Sequence, residues 1–203
     1  MKITSIKPQV KRQGRYSIFV DGKYSFSLSD GALLDSKVVN GQDLTEQELR
    51  ELKRKAEEDQ LYSRALNYAT IRPRSTWELR TYLSRKDSPA ALTEIILNKL
   101  SIINLVDDEA FARAWVANRR AIKPSSIRRL NQELRAKRIE QVVIDKVLSE
   151  EDEASEQTAI MQIIERKKRQ SRYQDKQKLM QYLSTQGFSY GDIKDAMSSQ
   201  EDA

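Results

Sequence analysis

A pair of leucines four residues apart recurs three times in this sequence, at intervals of 51 and 49 residues. The three pairs are Leu79 with Leu83, Leu130 with Leu134, and Leu179 with Leu183. Leucines at this spacing lie on one face of a helix, and self-similarity at a period near fifty residues is typical of helical repeat proteins. The pattern therefore predicts a mainly α-helical chain built from tandem units.

The residues around each leucine pair predict three copies of a three-helix unit. A cation and a proline precede the first two pairs, as Arg72-Pro73 and Lys123-Pro124, and Ile144 and Ile193 open a third helix in the later copies. The predicted repeats comprise residues 61–106, 107–151 and 152–203. A unit of this size buries little apolar surface alone, so packing one unit on the next should extend the core and give an elongated, curved body.

Residues 1–43 alternate between apolar and polar side chains, as strands do. The runs 15–20 and 23–28 flank Asp21-Gly22, a dipeptide that favours a tight hairpin because both residues can adopt positive φ. Residues 2–10 add a third predicted strand. Because a two-stranded ribbon is only marginally stable alone, we expect this small N-terminal β-hairpin region to pack against a strand or helix elsewhere.

The sequence also marks where several helices begin and end. A short helix within residues 29–39 should end at Asn40-Gly41, and a connecting helix over 44–60 begins at a capping box formed by Thr45 and Glu48. The other predicted caps are Ser75 with Glu78, Ser189 with Asp192, and Gly187 at a helix C-terminus.

The composition argues against most enzymatic chemistry. The chain contains no cysteine and no histidine, which excludes thiolate metal sites, Ser-His-Asp triads and the commonest general base. Its six glycines form no phosphate-binding loop, so we expect no enzyme, no catalytic residue, no cofactor and no metal. Asp107, Asp108 and Glu109 are the remaining candidate metal ligands, but adjacent carboxylates on a helix diverge, and a helix N-terminal cap explains them better.

Positive charge is concentrated in the helical repeats. The net charge is +6, and residues 113–138 contain nine cations against Glu133 alone. If the helix there runs on, Arg128, Arg135 and Arg138 share one face. Such a surface suits nucleic acid or a partner that holds it, although a charge run is also typical of a solvated helix face. From charge alone, the candidate binding surface comprises Arg72, Arg74, Arg119, Arg120, Lys123, Arg128, Arg129, Arg135, Lys137 and Arg138.

Other features of the sequence indicate how the protein could bind nucleic acid. Trp77 and Trp115 could stack on bases, but packing within the helical units is the favoured interpretation. The predicted third helices, 142–148 and 193–197, offer few of the Asn, Gln or Arg side chains that read base edges, so sequence-specific readout is disfavoured. The chain shows no signal peptide, no membrane-spanning run and no long heptad repeat, so we expect a cytoplasmic monomer.

Several segments resemble the RecX family of bacterial regulatory proteins. They are Ala65-Leu66-Asn67-Tyr68, Arg72-Pro73-Arg74-Ser75 with Glu78-Leu79, Leu105-Val106-Asp107-Asp108-Glu109-Ala110-Phe111-Ala112-Arg113-Ala114-Trp115, Gln132-Glu133-Leu134-Arg135, and Lys178-Leu179-Met180 with Leu183, Gly187-Phe188 and Ile193. The resemblance covers residues 61–197 together with the hairpin region. Asp87 and Arg138 stand where the family usually has glycine, so a glycine C-cap is absent at those two positions.

The resemblance implies a regulator of the RecA recombinase. Members of this family are understood to bind RecA, to lie in the helical groove of its filament on single-stranded DNA, and to restrain its ATPase, strand-exchange and co-protease activities. The expected setting is therefore DNA repair, homologous recombination and the SOS response. The competing hypothesis is a stand-alone, non-sequence-specific nucleic-acid-binding protein. The two differ in their expected affinity for bare DNA and for RecA-coated DNA.

Overall fold

The structure is a computed structural model that describes residues 1–151 and 153–199. Across these residues the chain forms a three-stranded sheet followed by ten α-helices. The strands are β1 (Ile3–Pro8), β2 (Arg15–Val20) and β3 (Lys23–Ser29). The helices are α1 (Asp30–Ser36), α2 (Glu46–Ile71), α3 (Thr76–Ser84), α4 (Ala90–Ile102), α5 (Asp108–Ile122), α6 (Ile127–Ala136), α7 (Gln141–Leu148), α8 (Glu153–Lys168), α9 (Lys176–Thr185) and α10 (Tyr190–Ser198).

The predicted fold class is confirmed: the protein is mainly α-helical, with three three-helix repeats and a small N-terminal β region. The end of α2 with α3 and α4 forms the first repeat, α5–α7 the second, and α8–α10 the third. Residue 152 and residues 200–203, which belong to the predicted third repeat, lie outside the described residues. None of the helices described is both long enough and apolar enough to cross a membrane.

The N-terminal sheet confirms the predicted hairpin. The strands are adjacent in the order β1-β2-β3 and antiparallel throughout. Asp21 and Gly22 form the turn between β2 and β3 with φ of 47° and 78°, the positive values that match the twist of the flanking strands. The third predicted strand is present as β1, although it ends at Pro8 rather than at Val10.

The sheet packs against α2, as its small size requires. Ile18, Phe26 and Leu28 of the sheet share one buried core with Leu52 and Ala56 of α2. Burial of these side chains stabilises both elements, because so small a sheet is marginally stable unless an apolar face is covered.

A buried ion pair also joins the sheet to α2. Arg15 Nη2 lies 3.1 Å from Asp59 Oδ2, and both side chains are about nine-tenths buried. Ser29 donates its N–H and its hydroxyl to the same carboxylate, at 3.0 and 2.5 Å, and Arg15 donates to the carbonyl of Ser27 and the hydroxyl of Ser63. These neighbours supply hydrogen bonds that offset part of the desolvation of the buried charge pair, although among the described residues the buried Arg15 Nε has no partner.

The first helix ends earlier than predicted. α1 stops at Ser36, where Lys37 adopts the left-handed conformation with φ of 51° and donates its N–H to the carbonyl of Leu34. The predicted end at Asn40-Gly41 is therefore wrong. Gly41, with φ of 84°, instead forms the turn that returns the chain to the sheet, and its N–H donates to the carbonyl of Ile3 at 2.9 Å.

One uninterrupted helix, α2, runs over 26 residues. It begins at the predicted capping box, where Thr45 Oγ1 accepts from the Glu48 N–H and the Glu48 carboxylate accepts from the Thr45 N–H. This backbone hydrogen bond holds the pKa of Glu48 below its ordinary value. The predicted division between a connecting helix over 44–60 and a repeat from 61 falls inside α2, because no glycine or proline interrupts the sequence there.

Contacts between residues within the chain group the molecule into two compact units. The first consists of residues 1–72 and 79–105, and the second of residues 73–78 with the described part of 106–203. In the first unit the sheet, α1 and α2 enclose the N-terminal core. In the second, α5–α7 enclose one core and α8–α10 another. Both leucines of every repeated pair are buried.

Equivalent turns close the second helix of all three repeats. The chain leaves α3, α6 and α9 through Asp87, Arg138 and Gly187, whose φ values are 58°, 59° and 94°. In each turn the following residue donates its N–H to the carbonyl of the second leucine of the pair, at 3.2, 3.2 and 3.4 Å. This is the hydrogen bond of a Schellman motif. The predicted glycine cap at Gly187 is confirmed, and Asp87 and Arg138 form the same turn without glycine.

Candidate partner-binding surface

At least five of the ten cations in the candidate surface form ion pairs inside the described part of the protein. They are Arg74, Arg119, Arg120, Arg129 and Lys137. Each has a glutamate partner within 3.8 Å, and none of their side chains is more than 34% exposed. These five cations are therefore not freely exposed, and the assignment of all ten to a partner-binding surface stays a prediction from charge alone. These five serve as structural partners of buried or half-buried glutamates.

Glu133 binds three donors on the second repeat. Arg119 Nε, Trp115 Nε1 and Arg129 Nε donate to its carboxylate at 2.6, 2.9 and 3.4 Å. Burial raises the pKa of Glu133, but the hydrogen bonds from Arg119 and Trp115 outweigh it, so that the pKa lies below its ordinary value. The Arg119 guanidinium also lies 4.6 Å from the Trp115 ring centroid. Trp115 is therefore a packing residue, whereas Trp77 stays 38% exposed.

Arg120 is enclosed at the contact between the second and third repeats. It donates to Glu151 at 2.6 Å, to Glu156 at 3.1 Å and to the carbonyl of Ser125 at 2.8 Å. Burial raises the pKa of Glu156 above its ordinary value, and hydrogen bonds from the Ile127 N–H and from Arg120 only partly oppose this. Arg120 thus stabilises the protein and does not contribute to an exposed surface, since its side chain is 16% exposed.

The second helices of successive repeats meet through the same hydrogen bond at two junctions. The hydroxyl of Ser75 donates to the carbonyl of Lys137 at 3.3 Å, and that of Ser126 donates to the carbonyl of Gln186 at 2.7 Å. The two serines are 51 residues apart and the two acceptors are 49 residues apart, which is the period of the leucine pairs. We call these contacts the serine junctions.

Neighbouring side chains reinforce both serine junctions with different chemistry. At the first, Lys137 Nζ donates to Glu78 Oε1 at 2.7 Å, and at the second, Arg129 Nη1 donates to Gln186 Oε1 at 2.5 Å. These contacts were not predicted from the sequence. The available signal was the recurrence of serine at the start of the second helix in the first two repeats.

The three consecutive carboxylates considered as metal ligands bind separate partners. Asp107 caps α5 by accepting the N–H groups of the residues two and three positions on, which confirms the helix-cap interpretation. Asp108 accepts the N–H of Thr76 at 2.8 Å, and Glu109 pairs with an arginine and a lysine of its own repeat. Among residues 1–151 and 153–199, no group of carboxylates is arranged to hold a metal ion.

The other five candidate cations are exposed. They are Arg72, Lys123, Arg128, Arg135 and Arg138. In the described part of the chain, Arg128 and Arg138 form no ion pair, and Arg135 donates to the amide oxygen of Gln141 at 2.7 Å. α6 ends at Ala136 and Arg138 lies in the turn beyond it, so the helix does not run on and the condition for Arg138 to share a helical face with Arg128 and Arg135 is not met.

One face of α6 is cationic, whereas the equivalent face of α9 in the third repeat is not. Arg128, Gln132 and Arg135 are exposed at spacings of four and three residues, while Leu130 and Leu134 on the opposite side are buried. The equivalent exposed positions of α9 are Gln177, Gln181 and Ser184. We call Arg128, Gln132 and Arg135 the α6 face. The equivalent face of α9 thus carries no cation, so this arrangement of arginines is present in the second repeat and absent at the matching positions of the third.

This fold and surface define a helical repeat protein whose exposed chemistry is suited to binding a negatively charged partner. Sequence comparisons identify the family. The profile of the regulatory protein RecX N-terminal domain matches residues 1–45. The profiles of the first, second and third three-helix domains of RecX match residues 62–100, 107–148 and 154–197.

Related proteins and a solved structure support the same family. The regulatory protein RecX of Listeria monocytogenes serotype 4a (strain HCC23) is 32% identical, with 93% of this chain and 72% of the relative aligned. That of Limosilactobacillus reuteri (strain DSM 20016) is 33% identical, with 99% and 78% aligned. A crystal structure of regulatory protein RecX superposes with a TM-score of 0.72 at 30% identity, over 96% of this chain and 98% of that chain. The chain belongs to the RecX family of regulatory proteins.

Proposed function

We propose that this protein binds the RecA filament on single-stranded DNA and restrains its ATPase, strand-exchange and co-protease activities. Membership of a family of regulatory proteins supports a regulatory role, and the RecX resemblance supplies RecA as the partner. In this proposal the protein acts as a cytoplasmic monomer in homologous recombination, DNA repair and the SOS response.

The α6 face is the observation that carries the proposal. Arg128 and Arg135 are exposed, and no carboxylate of the described chain neutralises them. A filament on DNA offers both phosphates and acidic protein side chains, and an exposed pair of arginines binds either. Arg119 and Arg120 lie in the same basic stretch of sequence but are held by glutamates, so we assign them no part in binding.

Binding alone is sufficient for the proposed regulation. A ligand changes the activity of its target when it binds one state of that target more tightly than another. Tandem repeats offer several weak contacts within one chain, and linked weak contacts combine into a much stronger overall affinity. A filament held in a state that hydrolyses ATP slowly would be restrained without any reaction by the bound protein.

The test is the DNA-dependent ATPase rate of RecA, measured with rising amounts of this protein at low and high salt. We expect the rate to fall at amounts well below one molecule per RecA. The double variant Arg128→Glu/Arg135→Glu should need at least about tenfold more protein for the same inhibition, because it replaces two attractive contacts by repulsive ones. Arg129 is left unchanged, since it belongs to a serine junction.

The matched control is Lys53→Glu/Lys194→Glu, which makes the same change of net charge at exposed positions on α2 and α10. This control should inhibit like the unaltered protein. Equal inhibition by the α6-face variant would reject the assignment of this face. No inhibition by the unaltered protein, together with tight, salt-sensitive binding to bare single-stranded DNA, would instead support a stand-alone nucleic-acid-binding protein.

A further inference from the structure

A second exposed feature recurs in the first two repeats. Their first helices end with Ile71-Arg72-Pro73 and with Ile122-Lys123-Pro124. In both, the isoleucine is the last residue of the helix, α2 or α5, and the cation is the residue at which the chain leaves it. We call these two tripeptides the isoleucine corners. The third repeat has Ser171-Arg172-Tyr173 at the equivalent position and lacks the feature.

Packing within the protein does not explain the isoleucine corners. Ile71 is 76% exposed and Ile122 is 67% exposed, so neither contributes much to a core. A single exposed aliphatic residue is ordinary on a protein surface. Here, however, the same residue type is exposed at the same position of two repeats, 51 residues apart, and is followed by a cation each time. Recurrence of this kind indicates a shared external contact.

We infer that the two isoleucine corners are equivalent anchors for successive subunits of one protein filament, each corner inserting its isoleucine into an apolar pocket rimmed by carboxylates. The inference rests on the proposed function and adds the chemistry of the partner surface to it. An apolar side chain beside Arg72 or Lys123 is complementary to an apolar pocket with acidic neighbours. Two equivalent anchors suit a partner that presents the same pocket twice, and a polymer of identical subunits does so.

A nucleic acid is a poorer match for the isoleucine corners. Phosphates would bind Arg72 or Lys123 but would leave the isoleucines in water, and single strands are bound through stacking aromatic residues rather than through aliphatic ones. The anchors are therefore assigned to the protein subunits. The phosphate groups of the DNA would remain accessible to other cations of the surface.

The experiment compares Ile71→Gln, Ile122→Gln and the double variant with the unaltered full-length chain in the RecA ATPase assay. Each single variant should raise the half-inhibitory concentration about tenfold, and the double variant about a hundredfold, because contacts to separate subunits contribute independently. The loss should persist at high salt, since burial of an apolar side chain is not screened by ions. Valine at either position should retain most of the inhibition.

Ile102→Gln is the matched control, because Ile102 is 73% exposed and is not part of a corner. It should inhibit like the unaltered protein, and all variants should keep their helical circular dichroism. If the corner variants inhibit RecA as well as the unaltered chain does, the anchors are rejected while the proposed function stands. The same conclusion follows if Ile102→Gln loses as much inhibition as the corner variants. If the unaltered chain does not inhibit RecA at all, both are rejected.

Discussion

Arg120 and Arg128 lie eight residues apart in the same basic stretch, yet their surroundings differ completely. Arg120 is held by Glu151 and Glu156, whereas Arg128 is exposed without an acidic partner among the described residues. The sequence identifies both as cations but does not reveal which is paired, because the glutamates that bind Arg120 lie more than thirty residues further on, Glu151 just before α8 and Glu156 within it. The cations themselves could therefore be read from the sequence, whereas which of them are exposed and which are paired could not.

The strained turn at Arg138 leads to the first prediction. A residue with a Cβ atom costs about 1 kcal/mol in the left-handed conformation, and glycine does not pay this cost. Arg138→Gly should therefore raise the free energy of unfolding by about 1 kcal/mol. Urea unfolding measures this as a higher midpoint at an unchanged slope. Arg138→Ala removes the cation but keeps the strain, so an equal gain in that variant would contradict the explanation.

The carboxylate of Glu133 leads to a prediction about pH. Its pKa is lowered in the folded state, so its stabilising contribution is complete above the ordinary glutamate range and is lost as the pH falls through the folded-state pKa. Glu133→Gln should lower the free energy of unfolding at neutral pH by about 1 kcal/mol. The difference from the unaltered protein should shrink in acid.

Urea titrations of both proteins at neutral and acid pH test this dependence on Glu133. The exposed Glu140, whose side chain makes no cap hydrogen bond at the start of α7, provides the control Glu140→Gln for the loss of one negative charge. A difference between Glu133→Gln and the unaltered protein that stays constant across the pH range would contradict the assigned role.

Individual turns and helix ends could be predicted from the sequence where a few neighbouring residues determine them. The Asp21-Gly22 turn and the Thr45–Glu48 capping box both formed as expected, because their chemistry is contained within a few residues. The end of α1 was misplaced because Lys37, not a glycine, adopts the left-handed conformation. The serine junctions join residues about sixty positions apart, so local patterns give no means of finding them.

At the second serine junction, Gly187 allows two segments to approach closely. A Cβ atom added there would lie 2.7 Å from the Ser126 hydroxyl oxygen, and φ is 94°. Gly187→Ala should therefore lower the free energy of unfolding by about 2 kcal/mol, since it combines a clash with backbone strain. Adding Ser126→Ala should remove the clash without restoring the stability, because the strain remains and the hydrogen bonds of the Ser126 hydroxyl with the Gln186 carbonyl and the Arg129 N–H are lost.

Gly191 provides the comparison for the Gly187 substitution. It lies within α10, where an added Cβ would come no closer than 3.8 Å to a neighbour. Gly191→Ala should raise the free energy of unfolding by roughly 0.5–1 kcal/mol, because alanine favours the helix. Thermal unfolding of both variants measures the contrast, and a similar loss in each would show that the close approach at Gly187 is unimportant.

For the molecule as a whole, the fifty-residue period was the most informative feature of the sequence. It predicted the fold class and the number of repeats, because each repeat buries the same leucine pair. It did not predict that the chain contacts would group residues 73–78 with the second unit. The partner was not predictable from residues alone, since exposed cations bind phosphates and acidic proteins alike, and the elongated, curved body stays a prediction.

The proposed function leads to a prediction for the whole protein. Affinity for RecA-coated single-stranded DNA should exceed affinity for the same DNA without RecA by at least about tenfold, because contacts to protein and to DNA add together. Fluorescence anisotropy of labelled DNA, with and without RecA, measures both affinities. If the α6 face binds phosphates, the variant Arg128→Glu/Arg135→Glu should bind about two phosphates fewer. The slope of the logarithm of the binding constant against the logarithm of the salt concentration should become shallower accordingly. Equal affinities would favour the nucleic-acid-binding alternative.

The serine junctions have a consequence for how such a chain can change in length. At each junction the serine hydroxyl belongs to one repeat and the carbonyl acceptor to the next. A copy of the second repeat placed beside the original would therefore carry a matching donor and acceptor for both of its neighbours. Duplication of about fifty codons could lengthen the protein by a whole unit in one genetic event, without any new interface having to evolve first.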